Sequence, residues 1–328
     1  MTTPKQIRLN NYEDYATGPG LCYTKAKYSV PIHPEKSMKT IRTLIPLVIL
    51  ALLSGPVSRC IAADAADVPG AIKTQPDQPW EKGNIAFGGF VAAFDSTLSI
   101  GGPNAGVNVN AEKLLNLDSE LTVFRLNGLY RPGESRRNQI DFTYGAYHRS
   151  GSAILDEEID VGSVVLPVGA KLDTVFNFDI IRADYTYAFL QDDRMRIAAG
   201  LGVYVVPLKY SLTSTTSGGT TKVEGADVTL PLPALALRAD FLLVPKLYLT
   251  TSIDAMYLQY QNFKGSLCDV NLALEYRPWK HLGLGVGYNS FSVNVRASGT
   301  SSSYPGATFD GEVGIHYAGL MLYGKLLF

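Results

Sequence analysis

The chain has 328 residues, 46% of them hydrophobic and 18% charged, with a formal net charge of -1. That balance argues against a nucleic-acid partner, which needs a clustered basic face. Nineteen tyrosines, 31 glycines and 13 phenylalanines point instead to an all-β protein.

Residues 1–37 are polar, turn-rich and free of any apolar repeat. They read as a mis-assigned N-terminal extension ahead of a true start at Met38, with a cytoplasmic tail as the alternative. Met38-Lys39-Thr40-Ile41-Arg42 then leads into the apolar run Leu44 to Leu53, followed by Ser54-Gly55-Pro56 and Ala62-Ala63-Asp64-Ala65. This is the layout of a secretory signal peptide over 38–65. A membrane-spanning helix takes about 20 apolar residues, roughly twice this run, so an uncleaved anchor is the weaker reading. Processing would remove Cys22 and Cys60 and leave Cys268 alone, without an intramolecular disulfide. Residues 66–82 form a polar, proline-bearing periplasmic linker.

From residue 83 to 328 the dominant period is two, and no window shows an amphipathic helix. After a blurred strand at 84–100, the alternation sharpens. Phe124, Leu126, Gly128 and Tyr130 oppose Arg125 and Asn127, and Ile140, Phe142, Tyr144 and Ala146 oppose Gln139, Asp141 and Thr143. Ile181, Ala183, Tyr185 and Tyr187 oppose Arg182 and Asp184. Ile197, Ala199, Leu201 and Val203 oppose Arg196, Gly200 and Gly202. The pattern continues with Leu235 to Leu243 against Arg238 and Asp240, and Leu249 to Ala255 against Ser252 and Asp254. Leu272, Leu274 and Tyr276 oppose Asn271, Glu275 and Arg277, and Leu284, Val286 and Tyr288 oppose Gly283, Gly285 and Gly287. The last strand brings the tally to ten, with eight or twelve as neighbouring counts.

The connections alternate between long (101–119, 151–173, 211–227, 261–267, 297–308) and short (131–136, 191–193, 244–246, 278–280). Such alternation predicts a closed antiparallel transmembrane β-barrel with short periplasmic turns and long extracellular loops. A soluble secreted β-sandwich is the alternative, but its Greek-key crossings give no reason for alternating loop lengths. The stretch Tyr317-Ala318-Gly319-Leu320-Met321-Leu322-Tyr323-Gly324-Lys325-Leu326-Leu327-Phe328 resembles the terminal strand of bacterial outer-membrane proteins, a class of small barrels that includes the OmpA- and OmpW-like ones. The resemblance implies residence in the bacterial outer membrane, among its lipid and lipopolysaccharide. It also implies recognition of Leu322, Gly324, Leu326 and Phe328 by the barrel-assembly machinery.

Two chemistries compete for the barrel. His148 and Ser150, followed by Glu157 and Glu158, have the spacing of a base and nucleophile on one strand face, as in a membrane-embedded hydrolase acting on lipid A or peptides. However, His148 shares its parity with the lipid-facing Phe142 and Tyr144, so no enzymatic role is expected. No histidines cluster at metal-ligand spacing, and no cofactor is called for. The opposite face carries Arg125, Arg182, Arg196, Arg238 and Arg277 against Asp141, Asp184, Asp240, Asp254 and Glu275. Matched signs at this number predict an ion-paired network obstructing the lumen, with a narrow porin-like path as the alternative. Trp279, Tyr130, Tyr257, Tyr288 and Tyr323 are expected in interfacial girdles.

Overall fold

A computed structural model of the chain describes residues 79–100, 107–156, 158–161, 164–216, 218–297 and 311–328. The expected extension, signal peptide and most of the linker lie outside these residues, as do Glu157, 101–106 and 298–310. In chain order the elements are β1 (Gly83–Ile100), β2 (Val107–Asn110), α1 (Ala111–Leu114), β3 (Glu120–Tyr130), β4 (Asn138–Ile154), β5 (Ile159–Val161) and β6 (Val164–Leu166). They continue with β7 (Lys171–Gln191), β8 (Met195–Thr216), β9 (Gly219–Val244), β10 (Leu247–Tyr260), β11 (Phe263–Tyr276), β12 (Leu282–Ala297) and β13 (Gly311–Leu327).

Ten of these strands form one antiparallel sheet in the order β13-β12-β11-β10-β9-β8-β7-β4-β3-β1. β13 then pairs back onto β1, from Asn84↔Leu327 to Leu98↔Val313, and the sheet closes. Closure removes the free edges that hydrocarbon cannot hydrogen-bond. The seam is finished by reciprocal bonds between Gly83 and Phe328, at 2.9 and 3.0 Å.

The period-two parity puts one face of every strand outside. Ile85, Phe87, Phe124, Phe142, Tyr185, Leu201, Leu235, Leu284, Leu322 and Leu326 are all exposed there. On β8 the outward apolar run is Ile197 to Val205. A strand rising about 3.3 Å per residue and tilted by about 40° covers the roughly 25 Å lipid-facing band of such barrels in about ten residues, close to the length of that run.

Above that belt the chemistry of the two faces exchanges while the parity stays the same. Outward residues become His148, Asp179, Lys209, Asp227 and Lys264, whereas inward ones become Leu208, Leu212, Leu230, Leu232, Val293, Val295 and Ile315. The strands thus run on into water as an ordinary barrel with a dry interior. This exchange overturns two of the expected loops. Residues 211–216 and 219–227 are paired strand, with Ser211↔Gly225 and Thr216↔Gly219 in register. The stretch 261–267 holds only the two-residue turn Gln261-Asn262, where Gln261 adopts φ 49°. The 151–173 connection contains the β5–β6 hairpin, and 101–119 contains β2 and α1.

Prolines punctuate the ladders. The β7–β8 register skips from Phe178↔Leu208 to Ile181↔Val205, opposite Pro207, which has no N–H to offer. The β9–β10 pairing ends at Leu235↔Ala255, short of Pro233 and Pro231. Beyond that point β7, β8 and β9 continue upward with each other and form the tall side of the barrel.

Candidate functional site

The ten strands aim their inward residues into one lumen, filled in layers. At the periplasmic end, the segment before β1 turns into the mouth. Glu81 receives Arg277 at 2.8 Å and Arg131 at 3.2 Å, and Asn84 donates to it at 2.8 Å. Burial alone would push the Glu81 carboxyl up, but Arg131, Arg277 and Lys325 outweigh it and hold the group well below the ordinary glutamate range. Glu275 accepts from Arg277 at 2.9 Å, from the Tyr323 hydroxyl at 2.8 Å and from Lys325. Arg131 also reaches Asp240 at 3.3 Å, and Arg196 approaches the same carboxylate at 3.7 Å.

The next layer is built around Asp254, whose side chain is fully buried. It accepts from Arg182 and Arg238, both at 2.9 Å, and from the Tyr204 hydroxyl at 3.0 Å. Asp184 lies between the same two arginines, 2.9 Å from Arg182 and 2.7 Å from Arg238. Asp141 flanks Arg238 at 3.6 Å. Asp269 receives Tyr204 at 2.9 Å and Asn289 at 2.6 Å, and Arg125 donates to Asn289 at 2.9 Å.

All ten charged residues singled out in the sequence therefore face the lumen, and all but the half-buried Asp240 and Arg277 are buried. The structure adds Arg131 and Lys325 to the cations and Glu81 and Asp269 to the carboxylates. Seven cations (Arg125, Arg131, Arg182, Arg196, Arg238, Arg277, Lys325) then meet seven carboxylates (Glu81, Asp141, Asp184, Asp240, Asp254, Asp269, Glu275). Between the periplasmic and central layers lies a cavity of about 110 Å³, bordered by Asn127, Thr143, Ser252, Asn271 and the charges around them. It has room for several waters.

Aromatic rings cover the central network on its extracellular side. Tyr147 stacks on Phe178 and on Tyr317, each at 5.0 Å, and Tyr317 stacks on Phe291 at 5.1 Å. The Tyr147 and Tyr317 hydroxyls hydrogen-bond at 3.1 Å. Above them Arg149 lies over the Phe94 ring at 4.2 Å and bonds Glu112 at 2.6 Å and Ser96 at 2.7 Å. Glu112 belongs to α1, which is capped by the Asn110 side chain at 2.9 Å and lies among the buried Leu115 and Leu117.

Glycines make this filling fit. A Cβ at Gly202 would overlap Asp184 Oδ1, and one at Gly285 would enter the Tyr323 ring. Tyr323 is thus a lumen residue and not part of a girdle: its parity matches Met321 and Lys325. Tyr130, Tyr257 and Tyr288 are exposed on the outer wall, and Trp279 is exposed in the turn between β11 and β12. His148 is also outside, 3.1 Å from Asp179, and Ser150 beside it is exposed. Leu322, Leu326 and Phe328 face outward at the end of the chain.

No family model and no curated relative matches this sequence. Similar solved structures include the outer membrane protease OmpT from Escherichia coli, at 8% identity over 75% of this chain and 97% of that one, with a TM-score of 0.45. The Ralstonia pickettii toluene transporter TbuX is 10% identical over 76% and 90%, with a TM-score of 0.34. Ail, the attachment invasion locus protein of Yersinia pestis, is 12% identical over 74% and 99%, with a TM-score of 0.26. Likenesses this distant carry no argument, and the assignment rests on the closed sheet and its apolar exterior. The fold is that of a closed transmembrane β-barrel.

Proposed function

We propose that this protein is an integral barrel of the bacterial outer membrane, exported by a cleaved signal peptide, whose lumen is closed to solutes. Its role is structural or binding and is carried by the part of the barrel that stands above the lipid. One observation carries the reading: seven cations and seven carboxylates neutralise one another inside the lumen, under a layer of stacked rings. A conducting pore needs a continuous wet path, and a one-sign wall would favour ions; here the charges are spent on each other and the stacked rings above them are buried. The surface presented to the outside is polar, with Thr213, Thr229, Asp227 and Lys209 on the tall β7–β9 side, which suits contact with lipopolysaccharide sugars or a protein partner.

We assign no hydrolytic role. His148 pairs with Asp179 on the outer wall, and Ser150 points away from the lumen, so the two line no enclosed site where an oxyanion could be held. The decisive test is conductance of the mature chain, from about Asp64, in a planar bilayer. A folded barrel that gives no discrete steps is the expected result. Reproducible single-channel steps would replace this reading with a porin-like one.

A further inference from the structure

Glu81 differs from the other lumen carboxylates in how it arrives: it comes from the four residues ahead of β1, and the rest come from strands. Those residues are fastened by side chains of the barrel mouth. Trp80 is 2% exposed, donates its indole N–H to the Asp192 carbonyl at 2.8 Å, and packs edge-on against Tyr248 at 6.2 Å. Tyr248 donates to the Pro79 carbonyl at 3.2 Å, Arg131 to the Glu81 carbonyl at 3.1 Å, and Arg136 to the Trp80 carbonyl. Trp80 and Glu81 also form a wall of the polar cavity.

The partners Glu81 would leave behind are already provided for. Arg131 keeps Asp240 at 3.3 Å, and Arg277 keeps Glu275 at 2.9 Å. Withdrawing Glu81 therefore strands neither guanidinium without a carboxylate, so the usual penalty for breaking one half of a buried ion pair is largely avoided. Undocking loses the burial of one indole, the bonds that Arg131, Arg277 and Asn84 make to the Glu81 carboxylate, and the hydrogen bonds to the Pro79, Trp80, Glu81 and Lys82 carbonyls, while the ion pairs between strands stay in place and the chamber it exposes to water is already polar. These are the properties of a part that can detach while the barrel stays folded.

We infer that residues 79–82 are a detachable periplasmic seal over the lumen cavity, anchored by Trp80 and Glu81. The inference rests on the closed-lumen reading, because the ring layer must keep the chamber shut from the other side.

The test uses a Cys268→Ser background with Ser252→Cys, which places a thiol on the cavity wall. The probe is a water-soluble cationic methanethiosulfonate, applied to the folded barrel in detergent. With the seal intact, modification is expected to be slow. In the Trp80→Ala/Glu81→Gln variant it should be at least about tenfold faster, corresponding to about 1.4 kcal/mol of lost docking. Heat-modifiable migration on a gel shows that each variant is folded, and Glu81→Gln alone serves if the double variant is not. Equal rates in sealed and unsealed proteins, whether both slow or both fast, overturn the inference. Channel steps from the wild type would overturn the closed lumen instead, and they are read in a separate assay.

Discussion

Asp254→Asn tests the lumen network at its centre. The substitution keeps the shape of the side chain and removes one charge, so seven cations face six carboxylates. Two buried arginines at 2.9 Å lose their shared anion, and an amide donor now points at guanidinium donors. Breaking one side of a buried ion pair costs about 3–5 kcal/mol, and the multiply bonded position of Asp254 puts the expectation in that range. The neutralising double variant Arg238→Gln/Asp254→Asn restores six against six. It should cost less than the sum of the two singles, by more than the roughly 0.5 kcal/mol within which independent sites add. Denaturant unfolding in lipid vesicles measures this, with fluorescence from Trp80 and Trp279, the chain's two tryptophans, as the signal. A cost for Asp254→Asn below about 1 kcal/mol, a value typical of exposed pairs, would refute the claim that the lumen charges form one interdependent network.

Three further outcomes follow from the same geometry. Gly202→Ala places a methyl group against Asp184 Oδ1 and should cost about 1–3 kcal/mol in the same unfolding assay, whereas Gly128→Ala, which meets nothing on the lipid face, should be nearly neutral. Because the Glu81 carboxyl is held below its ordinary range, its contribution is complete above the usual glutamate pKa and is lost as pH falls towards the depressed one. The stability gap between wild type and Glu81→Gln should accordingly be constant from pH 7 to about pH 5 and shrink steadily in more acid buffer; a gap that widened on acidification would reverse the sign of the argument. Phe328→Ala retains the backbone bonds to Gly83 but removes the terminal ring, so it should fold normally into detergent while assembling slowly in cells, as followed by heat-modifiable migration after a pulse of synthesis. Equal assembly of variant and wild type would dissociate this terminus from recognition by the assembly machinery.

The lipid-spanning half was legible in the sequence because its rule is local. Lipid outside and paired charge inside leave an unbroken alternation, and Arg182, Asp184, Arg238 and Asp240 stand out against Ile181, Ala183, Leu237 and Ala239. Parity carried a signal that the sequence reading missed for Asp269, in step with Asn271 and Glu275, and for Lys325 and Tyr323, in step with Met321. Arg131 and Glu81 carried no such signal, since one follows the end of β3 and the other precedes β1. The blur in β1 has a physical cause: Phe87 and Val91 face lipid while Phe90 and Phe94 join the ring layer, so both faces are apolar. The upper arms of β8 and β9 were hidden for the opposite reason. Their outward residues are Ser, Thr, Lys and Asp, which read as loop, and only the inward Leu208, Leu212, Val228 and Leu230 betray the strand.

That exchange of faces also accounts for how one sheet is stable in two solvents. Within lipid, burying an apolar side chain gains little, because the surroundings are already apolar; charges turned inward must instead satisfy one another, as they do between Arg182, Arg238 and Asp254. In water above the belt the hydrophobic effect returns, at about 25 cal/mol per Å² of apolar surface buried, and the interior there is leucine, valine and aromatic. The ring layer of Tyr147, Phe178, Tyr317 and Phe291 lies where the two regimes meet. Its apolar faces join the core above, and its inner neighbours Tyr204 and Arg125 bond the carboxylate and amide network below. A plug made this way belongs to both halves at once. Opening the lumen would break the dry core and the ion pairs together, whereas the proposed seal of residues 79–82 touches the ion-paired half alone.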